Sequence, residues 1–179
     1  MSNVYFSSDW HEGHINIGRF RKIPKEFVDA ALGNSTLANT LWLDANWPAR
    51  DRDIIHCLGD ATFTEEAVDV VSARLGDKRL LGGNHDDLPL ESLLRAFTTV
   101  RGCMKKYGFW MSHFPLHPTE LRGKFCVHGH NHYQEIDDYR YINVCCDNLW
   151  ENIGRPFITL AELRKVIEKR KVSKKVEWL

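Results

Sequence analysis

Short apolar runs alternate with helix-like segments in the first half of this chain, and each run ends in a polar or glycine-rich turn. The runs cover residues 4–6, 53–58 and 78–81. Alternation of strand and helix is typical of a parallel sheet with helical crossovers. Ligands bind at the carboxyl ends of the strands in such sheets. The sequence therefore predicts a site built from the side chains that follow these runs.

The remaining pattern predicts two packed sheets with helices outside them. Three helices are expected in the first half. The first covers 36–46, with Leu37, Leu41 and Trp42 on one face. The second follows a capping box at 62–65, and the third covers 91–97. In the second half, strands are expected at 98–106, 109–112, 125–128 and 141–145. One further helix should run from a capping box at 159–162 to about 171. The length suits a single domain over residues 1–179.

Five short blocks at the ends of the strand-like runs carry side chains that bind metal ions. In chain order they are Asp9-Trp10-His11, Gly59-Asp60, Gly83-Asn84-His85-Asp86, Ser112-His113 and Gly129-His130-Asn131-His132. Any one block alone is better explained as a turn or a helix cap. Together they supply enough ligands for two adjacent divalent ions.

Spacing suggests how the ligands are shared. Two ions about 3.5–4 Å apart can clamp a phosphate ester, and Asp60 is the natural carboxylate to bridge them. Asp9 and His11 lie two residues apart, so on an extended strand end they would face one side and chelate one ion. His130 and His132 have the same spacing and could reach neighbouring ions.

The other donors define the type of metal. His113 and the side-chain oxygen of Asn84 can complete the coordination of the second ion. The set contains no thiolate, which disfavours a structural zinc site and suits manganese first, with iron, nickel or zinc as alternatives. His85 is left over, and an imidazole above a substrate can protonate the leaving oxygen.

In order and spacing, the blocks resemble the calcineurin-like metallophosphoesterases, whose pattern is D-x-H, G-D, G-N-H-D/E, a lone histidine and G-H-x-H. The match spans residues 9–132, and residues 6–17 are similar to the opening of small bacterial and phage phosphoesterases. The resemblance implies an α/β fold, a four-layer α-β-β-α sandwich. It implies one ion held by Asp9, His11, Asp60 and His132. It implies a second held by Asp60, Asn84, His113 and His130, with His85 as the catalytic histidine.

One departure from the superfamily concerns the second block. Protein Ser/Thr phosphatases extend it to G-D-x-x-D-R-G, whereas residues 59–65 here read G-D-A-T-F-T-E. The aspartate that orients the catalytic histidine and the arginine that grips phosphate are both absent. A protein phosphatase is therefore disfavoured, and the sequence does not show what orients His85.

Charge and composition limit the partners. Lys+Arg and Asp+Glu both number 24, so there is no bulk attraction toward nucleic acid or an anionic membrane, and nucleic acid is disfavoured as a partner. No apolar stretch is long enough to span a bilayer. The absence of a signal-peptide pattern and five cysteines without CxxC spacing predict buried thiols and a cytoplasmic location. The oligomeric state stays open, a dimer included.

Several neighbouring residues have two interpretations. His14 and Asn16 are candidate substrate contacts, with a surface-loop role equally open. Trp10, between two proposed ligands, is a candidate lining residue of the substrate cleft. Arg21 could bind phosphate, although a solvated cation is favoured. Asp147 could support the site from behind or be an ordinary loop residue.

The expected function is hydrolysis of a small phosphodiester, with cyclic or other small nucleotide diesters as the leading class. A hydroxide between the ions would attack phosphorus, the ions and Asn84 would stabilise the phosphoryl oxygens, and His85 would protonate the leaving alkoxide. The alternatives are a phosphomonoesterase, a metal-dependent nuclease and a non-catalytic scaffold that resembles the retromer subunit. The presence of His85 argues against the scaffold, and the neutral chain argues against the nuclease.

Overall fold

The computed structural model describes residues 2–176, with side chains up to residue 173. Nine strands occur in this part of the chain: β1 (Val4–Ser7), β2 (Ile54–Cys57), β3 (Asp77–Leu81), β4 (Thr99–Arg101), β5 (Cys103–Lys106), β6 (Phe109–Ser112), β7 (Cys126–His128), β8 (Tyr141–Asn143) and β9 (Ile158–Thr159). The α-helices there are α1 (Lys25–Ala30), α2 (Ser35–Ala45), α3 (Glu65–Ala73), α4 (Leu90–Ala96), α5 (Pro118–Leu121), α6 (Cys146–Ile153) and α7 (Leu160–Val176). No helix in the described range is long and apolar enough to cross a membrane.

The strands form two mostly parallel sheets. The first has the order β4-β3-β2-β1-β9, in which β1 to β4 are parallel and β9 is antiparallel to β1. The second has the order β5-β6-β7-β8, in which β6, β7 and β8 are parallel. Just beyond the carboxyl ends of β1 and β8, a bridge between Ser8 and Cys145 joins the sheets. Residues from both sheets therefore meet at one edge.

Helices α2, α3 and α4 cover one face of the first sheet. Trp42, Val68 and Leu93 of these helices pack with Ile55 and Leu80 in one buried cluster. Burying a large apolar side chain contributes roughly 1.5–3 kcal/mol, so this layer holds β2 and β3 firmly.

A second buried cluster lies between the two sheets, where Phe6 and Leu81 meet Met111 and Val127, with Leu163 of α7 beside them. The outer face of the second sheet is covered in part by α5, and Leu121, Cys126 and Tyr141 pack together there. The fold is thus the α/β sandwich of two sheets between helices, and the predicted fold class is confirmed.

Side-chain caps define the helix starts. The Thr159 hydroxyl accepts from the Glu162 backbone N–H, and Glu162 accepts from that of Thr159, so the predicted capping box of α7 is confirmed. The box predicted at 62–65 is wrong, because Thr64 is the cap and accepts from the Ala67 N–H.

Four other expectations were wrong. Residues 98–106 form two strands that belong to different sheets, with a break at Gly102. Helices α1, α5 and α6 were not predicted. Trp42 is on the buried face of α2 as expected, but Leu37 is 45% exposed and is not. Cys103 is exposed, while the other four cysteines are buried as expected.

Candidate metal centre

The candidate ligands lie beyond the carboxyl ends of five parallel strands from both sheets. Asp9 follows β1, Asp60 follows β2 and Asn84 follows β3. His113 follows β6, and His130 and His132 follow β7. Backbone hydrogen bonds from Asp9 N to Gly59 O and from His11 N to Asp60 O, 2.9 and 3.0 Å long, tie the first two blocks together. All seven candidate ligands are thereby brought to one place.

The backbone at this place is unusual. Eight non-glycine residues in the described chain have positive φ, and five of them are candidate ligands: Asp9 (57°), His11 (51°), Asp60 (52°), His130 (71°) and His132 (47°). The left-handed conformation costs a non-glycine residue on the order of 1 kcal/mol or more. The expectation that Asp9 and His11 converge on an extended strand end is therefore wrong. They converge because each takes a left-handed turn.

Two glycines allow the blocks to approach closely. A Cβ on Gly83 would lie 2.2 Å from Oδ1 of Asp60. A Cβ on Gly129 would lie 2.7 Å from Oδ2 of Asp9. Such distances are far inside van der Waals contact, so only glycine fits at either position.

The first cluster consists of Asp9, His11 and His132, whose ligand atoms lie within 4.8 Å of one another. Oδ1 of Asp9 is 3.8 Å from Nε2 of His11 and 3.8 Å from Nε2 of His132. Within the described residues, Asp9 Oδ1 and both ring nitrogens of His11 are buried without a hydrogen-bond partner. Buried polar atoms are rarely left in this state, so the cluster fits a cation.

The second cluster consists of Asp9, Asp60 and His113. Nε2 of His113 lies 3.4 Å from Oδ2 of Asp60. The same nitrogen is 3.0 Å from Oδ1 of Asn84 and 3.3 Å from Nδ1 of His130. Because Nδ1 of His113 donates to the carbonyl oxygen of Leu58 over 2.8 Å, Nε2 presents its lone pair to the cluster.

The two aspartates connect the clusters. Oδ2 of Asp60 is 3.8 Å from Nε2 of His11, in the first cluster, as well as 3.4 Å from His113 in the second. Asp9 belongs to both groups. A carboxylate placed between two groups of ligands is what a pair of neighbouring ions requires.

Only one oxygen of Asp9 faces the histidines. Oδ2 accepts from the Ser8 hydroxyl, from the His130 backbone N–H at 3.0 Å and from the Cys145 thiol at 2.9 Å. Burial would raise the pKa of Asp9, but His11, His113 and His132 outweigh it and hold that pKa well below its usual value. Burial raises the pKa of the Cys145 thiol, so this group acts as a donor and not as a thiolate ligand.

Asp86, the last residue of the third block, joins that block to the second. Its Oδ2 accepts from the backbone N–H groups of Asp60 and Gly83, both at 2.8 Å. Its Oδ1 accepts from that of Ala61, also at 2.8 Å. Asp86 thus fixes the loops that carry Asp60 and Asn84.

Arg21 is a buried structural residue, and both interpretations offered for it were wrong. Its Nε donates to Oδ1 of Asp147 over 2.7 Å, and its other N–H groups reach Asp147 Oδ2, Asn39 Oδ1 and the carbonyl oxygens of Asp9 and Trp10. All five guanidinium donors are therefore used. Burial would raise the pKa of Asp147, but Arg21 lowers it to about 2.

Trp10 does not line a cleft, contrary to expectation. It is fully buried, and its ring lies 5.2 Å from that of Trp47 and 6.2 Å from that of Phe97. The side chain points into the core because the left-handed residues on either side of it turn their own side chains toward the site.

The exposed rim of the site carries His85 and aromatic residues that the sequence pattern did not single out. His85 and Asn84 are exposed. The Phe63 ring contacts His85 and His11, and the Phe114 ring lies 4.5 Å from that of His130. His14 and Asn16 lie together nearby, with the Asn16 N–H donating to His14 Nδ1 over 3.1 Å. Their role in binding substrate stays a prediction.

Comparison with known proteins supports the fold and names no activity. No family model matches the chain. The chain is 28% identical over 189 residues to the uncharacterized protein MJ1445 of Methanocaldococcus jannaschii, covering 100% of this chain and 99% of that protein. It resembles the crystal structure of AQ665, a protein of unknown function from Aquifex aeolicus, with a TM-score of 0.63, 26% identity, and coverage of 93% and 100%. A single mutant of Vps29 from Entamoeba histolytica gives a TM-score of 0.40 at 17% identity, covering 79% of this chain and 72% of that one.

Proposed function

We propose that this protein is a calcineurin-like metallophosphoesterase that hydrolyses small phosphodiesters with two divalent ions. The observation that carries the proposal is the convergence of buried acceptor atoms. Asp9 Oδ1 faces Nε2 of His11 and of His132, and Asp60 Oδ2 faces Nε2 of His11 and of His113. Asp9 Oδ1 and both ring nitrogens of His11 have no hydrogen-bond partner among the described residues. Carboxylate oxygens and imidazole nitrogens grouped in this way fit divalent cations.

The seven candidate ligands would divide between the ions as the superfamily pattern implies. Asp9, His11 and His132 would hold one ion, Asn84, His113 and His130 would hold the other, and Asp60 would contact both. Bound divalent ions lower the pKa of a water molecule and neutralise charge on phosphoryl oxygens. Imidazole nitrogens with carboxylate and amide oxygens suit manganese, and also iron, nickel or zinc.

The residues at the exposed rim would act on the substrate. His85 lies outside both clusters, its ring centroid 6.0 Å from that of His11, so it is placed to donate a proton to the leaving oxygen. Asn84 is on the same exposed loop and would help to place the phosphate. Both roles require only that the substrate reach the exposed rim, which a small ester can do.

We favour a diester over a monoester because residues 59–65 lack the arginine that grips phosphate in protein phosphatases of the superfamily, and Arg21 cannot replace it. Every N–H group of Arg21 is bound to protein acceptors, so it cannot grip the extra charge of a monoester. Small nucleotide diesters, including cyclic nucleotides, are the leading substrate class.

The test is a metal and substrate screen on protein stripped with a chelator. The protein is reloaded with Mn²⁺, Zn²⁺, Ni²⁺, Fe²⁺ or Mg²⁺ and assayed on bis(4-nitrophenyl) phosphate, 4-nitrophenyl phosphate, 2′,3′- and 3′,5′-cyclic nucleotides and duplex DNA. Metal-dependent hydrolysis with diesters ahead of the monoester supports the proposal. A faster monoester would shift it to a phosphomonoesterase, and cleavage of duplex DNA at physiological salt would favour a nuclease. No hydrolysis with any metal would reject an enzyme.

A further inference from the structure

His85 is held by its backbone and by ring packing. Its backbone N–H donates to Oδ1 of Asp60 over 3.0 Å. Its ring makes no hydrogen bond to any residue from 2 to 173. A general acid has to point at one oxygen of the substrate, and an exposed imidazole that rotates freely loses part of this advantage. Something other than a hydrogen bond must therefore restrict the ring.

Phe63 supplies the main ring contact. Its ring lies 5.1 Å from that of His85, with 28° between the ring planes, which is a stacked arrangement. The other contacts of Phe63 are a stack on His11 at 5.2 Å and 28° and an edge contact with His14 at 4.7 Å and 81°. Phe63 thus lies against three histidine rings and cannot turn without displacing one of them.

The backbone of Phe63 is also fixed. Its N–H donates to the carbonyl oxygen of Glu12 over 2.8 Å, and a bridge pairs Glu12 with Thr62. Thr64, the next residue, caps α3. Phe63 is therefore anchored between the first block and a helix, whereas His85 lies on an exposed loop. The anchored ring sets the position of the exposed one.

We propose that Phe63 is a positioning residue that orients His85 by stacking, and this inference rests on the proposed function. Phe63 stands where the protein phosphatase pattern G-D-x-x-D-R-G has its second aspartate, counting from Gly59. Stacking restricts the tilt of the imidazole plane and leaves both ring nitrogens available to solvent and substrate. Stacking of aromatic rings is favourable beyond the area that it buries, by enough to populate one orientation about twofold to thirteenfold over another.

The kinetic test compares esters whose leaving groups differ in whether they have to be protonated. A methyl 4-nitrophenyl phosphodiester loses nitrophenolate, which departs without protonation, whereas a cyclic nucleotide loses an alkoxide, which requires it. Phe63→Leu should lower kcat for the cyclic nucleotide about tenfold and change kcat for the nitrophenyl ester less than about threefold. Phe63→Tyr keeps the ring face and should restore the alkoxide reaction to within about threefold of the wild type.

A double-mutant cycle separates orientation of His85 from a general structural effect. In a His85→Ala background, Phe63→Leu should produce no further loss on the cyclic nucleotide, because the group that it orients is gone. An equal loss in both backgrounds would overturn the inference, and so would equal losses on both esters. Manganese titration of each variant checks that the contact with His11 has not changed metal binding.

A structural measurement on the metal-free protein does not depend on activity. The ring-carbon signals of His85, identified by their loss in His85→Ala, should show a ring-current shift that disappears in Phe63→Leu and persists in Phe63→Tyr. An unchanged His85 signal in Phe63→Leu would overturn the stacking. If the wild type hydrolyses none of the esters while the ring-current shift is present, the proposed function has failed and not the contact.

Discussion

Nδ1 of His132 lies 2.7 Å from Oδ2 of Asp147, whose two oxygens also accept hydrogen bonds from the buried guanidinium of Arg21. The paired carboxylate acts as acceptor, so His132 carries its proton on Nδ1 and presents the lone pair of Nε2 toward Asp9. Carboxylates in this position orient metal-binding histidines. The orientation of one candidate ligand thus depends on an ion pair between residues 126 positions apart.

Replacing Asp147 should therefore weaken metal binding. We expect Asp147→Ala to lower the affinity for Mn²⁺ about 10–100-fold, because His132 loses the partner that fixes its proton and its ring. Calorimetric titration of the metal-free protein measures this. Loss of the carboxylate also leaves Arg21 unpaired, at a cost of about 3–5 kcal/mol of stability. Asp147→Asn keeps an acceptor and serves if the alanine variant does not fold. Exposed Asp51→Ala is the matched control, and unchanged affinity in both Asp147 variants would contradict the role.

His85→Ala should separate catalysis from metal binding. Because the His85 ring lies outside both ligand clusters, the variant should bind Mn²⁺ as the wild type does. Turnover of a diester with an alkoxide leaving group should fall about 10²–10⁴-fold, since the proton donor is gone. Steady-state kinetics and metal titration give the two values. His117→Ala removes another exposed histidine, which caps α5 and belongs to neither ligand cluster, and it should alter neither value. Wild-type turnover in His85→Ala would rule out the proton-donor role.

Asp60→Asn should differ from His85→Ala, because it should lose metal ions as well as activity. Asparagine can still accept from the His85 N–H, but its amide cannot replace the charged Oδ2 that lies between His11 and His113. We expect the variant to retain fewer metal ions per chain and to lose activity together with them. Metal content by mass spectrometry after dialysis is the measurement, with Asp87→Asn, on the neighbouring exposed turn, as control. A full metal complement in Asp60→Asn would refute the bridging assignment.

The position of the site could be predicted from the sequence, while its supporting contacts could not. Each block follows an apolar run, and parallel strands bring their carboxyl ends together, so local patterns suffice to place Asp9, Asp60 and Asn84 at one edge. The buried pair of Arg21 and Asp147 gives no local signal, because arginine after a polar turn usually faces solvent. The burial of this pair depends on where α6, which carries Asp147, packs in the fold.

Helix α6 itself shows the same limit. Its sequence, CDNLWENI, is only eight residues long, and polar Asp147 and Asn148 are buried together with Cys146 and Leu149. Periodicity is read over a window of about 11–18 residues, so a helix of two turns with polar residues among its buried ones gives no clear signal. The sequence also does not predict the left-handed backbone of the ligands, because aspartate and histidine adopt it where surrounding contacts enforce it.

His56 gives a prediction on pH and stability that is independent of metal. It is 1% exposed between the sheets, with Nε2 3.1 Å from the Tyr107 hydroxyl and its ring stacked 5.3 Å from that of Phe6. Burial, with Arg79 and Lys106 nearby, lowers its pKa from 6.5 to about 4. Between these pH values the unfolded chain binds a proton that the folded chain does not. Stability is therefore complete above pH 6.5 and falls as the pH drops toward 4.

The loss assigned to His56 is about 3 kcal/mol over that range. Urea unfolding in chelator at several pH values measures it, as the difference between the wild type and His56→Gln, which keeps a polar group near Tyr107 and does not titrate. Contributions from the other histidines cancel in this difference because they are common to both proteins. We expect the wild type to lose more stability on acidification than the variant does. Parallel curves for the two proteins would show that His56 is protonated as readily in the folded chain as in the unfolded one.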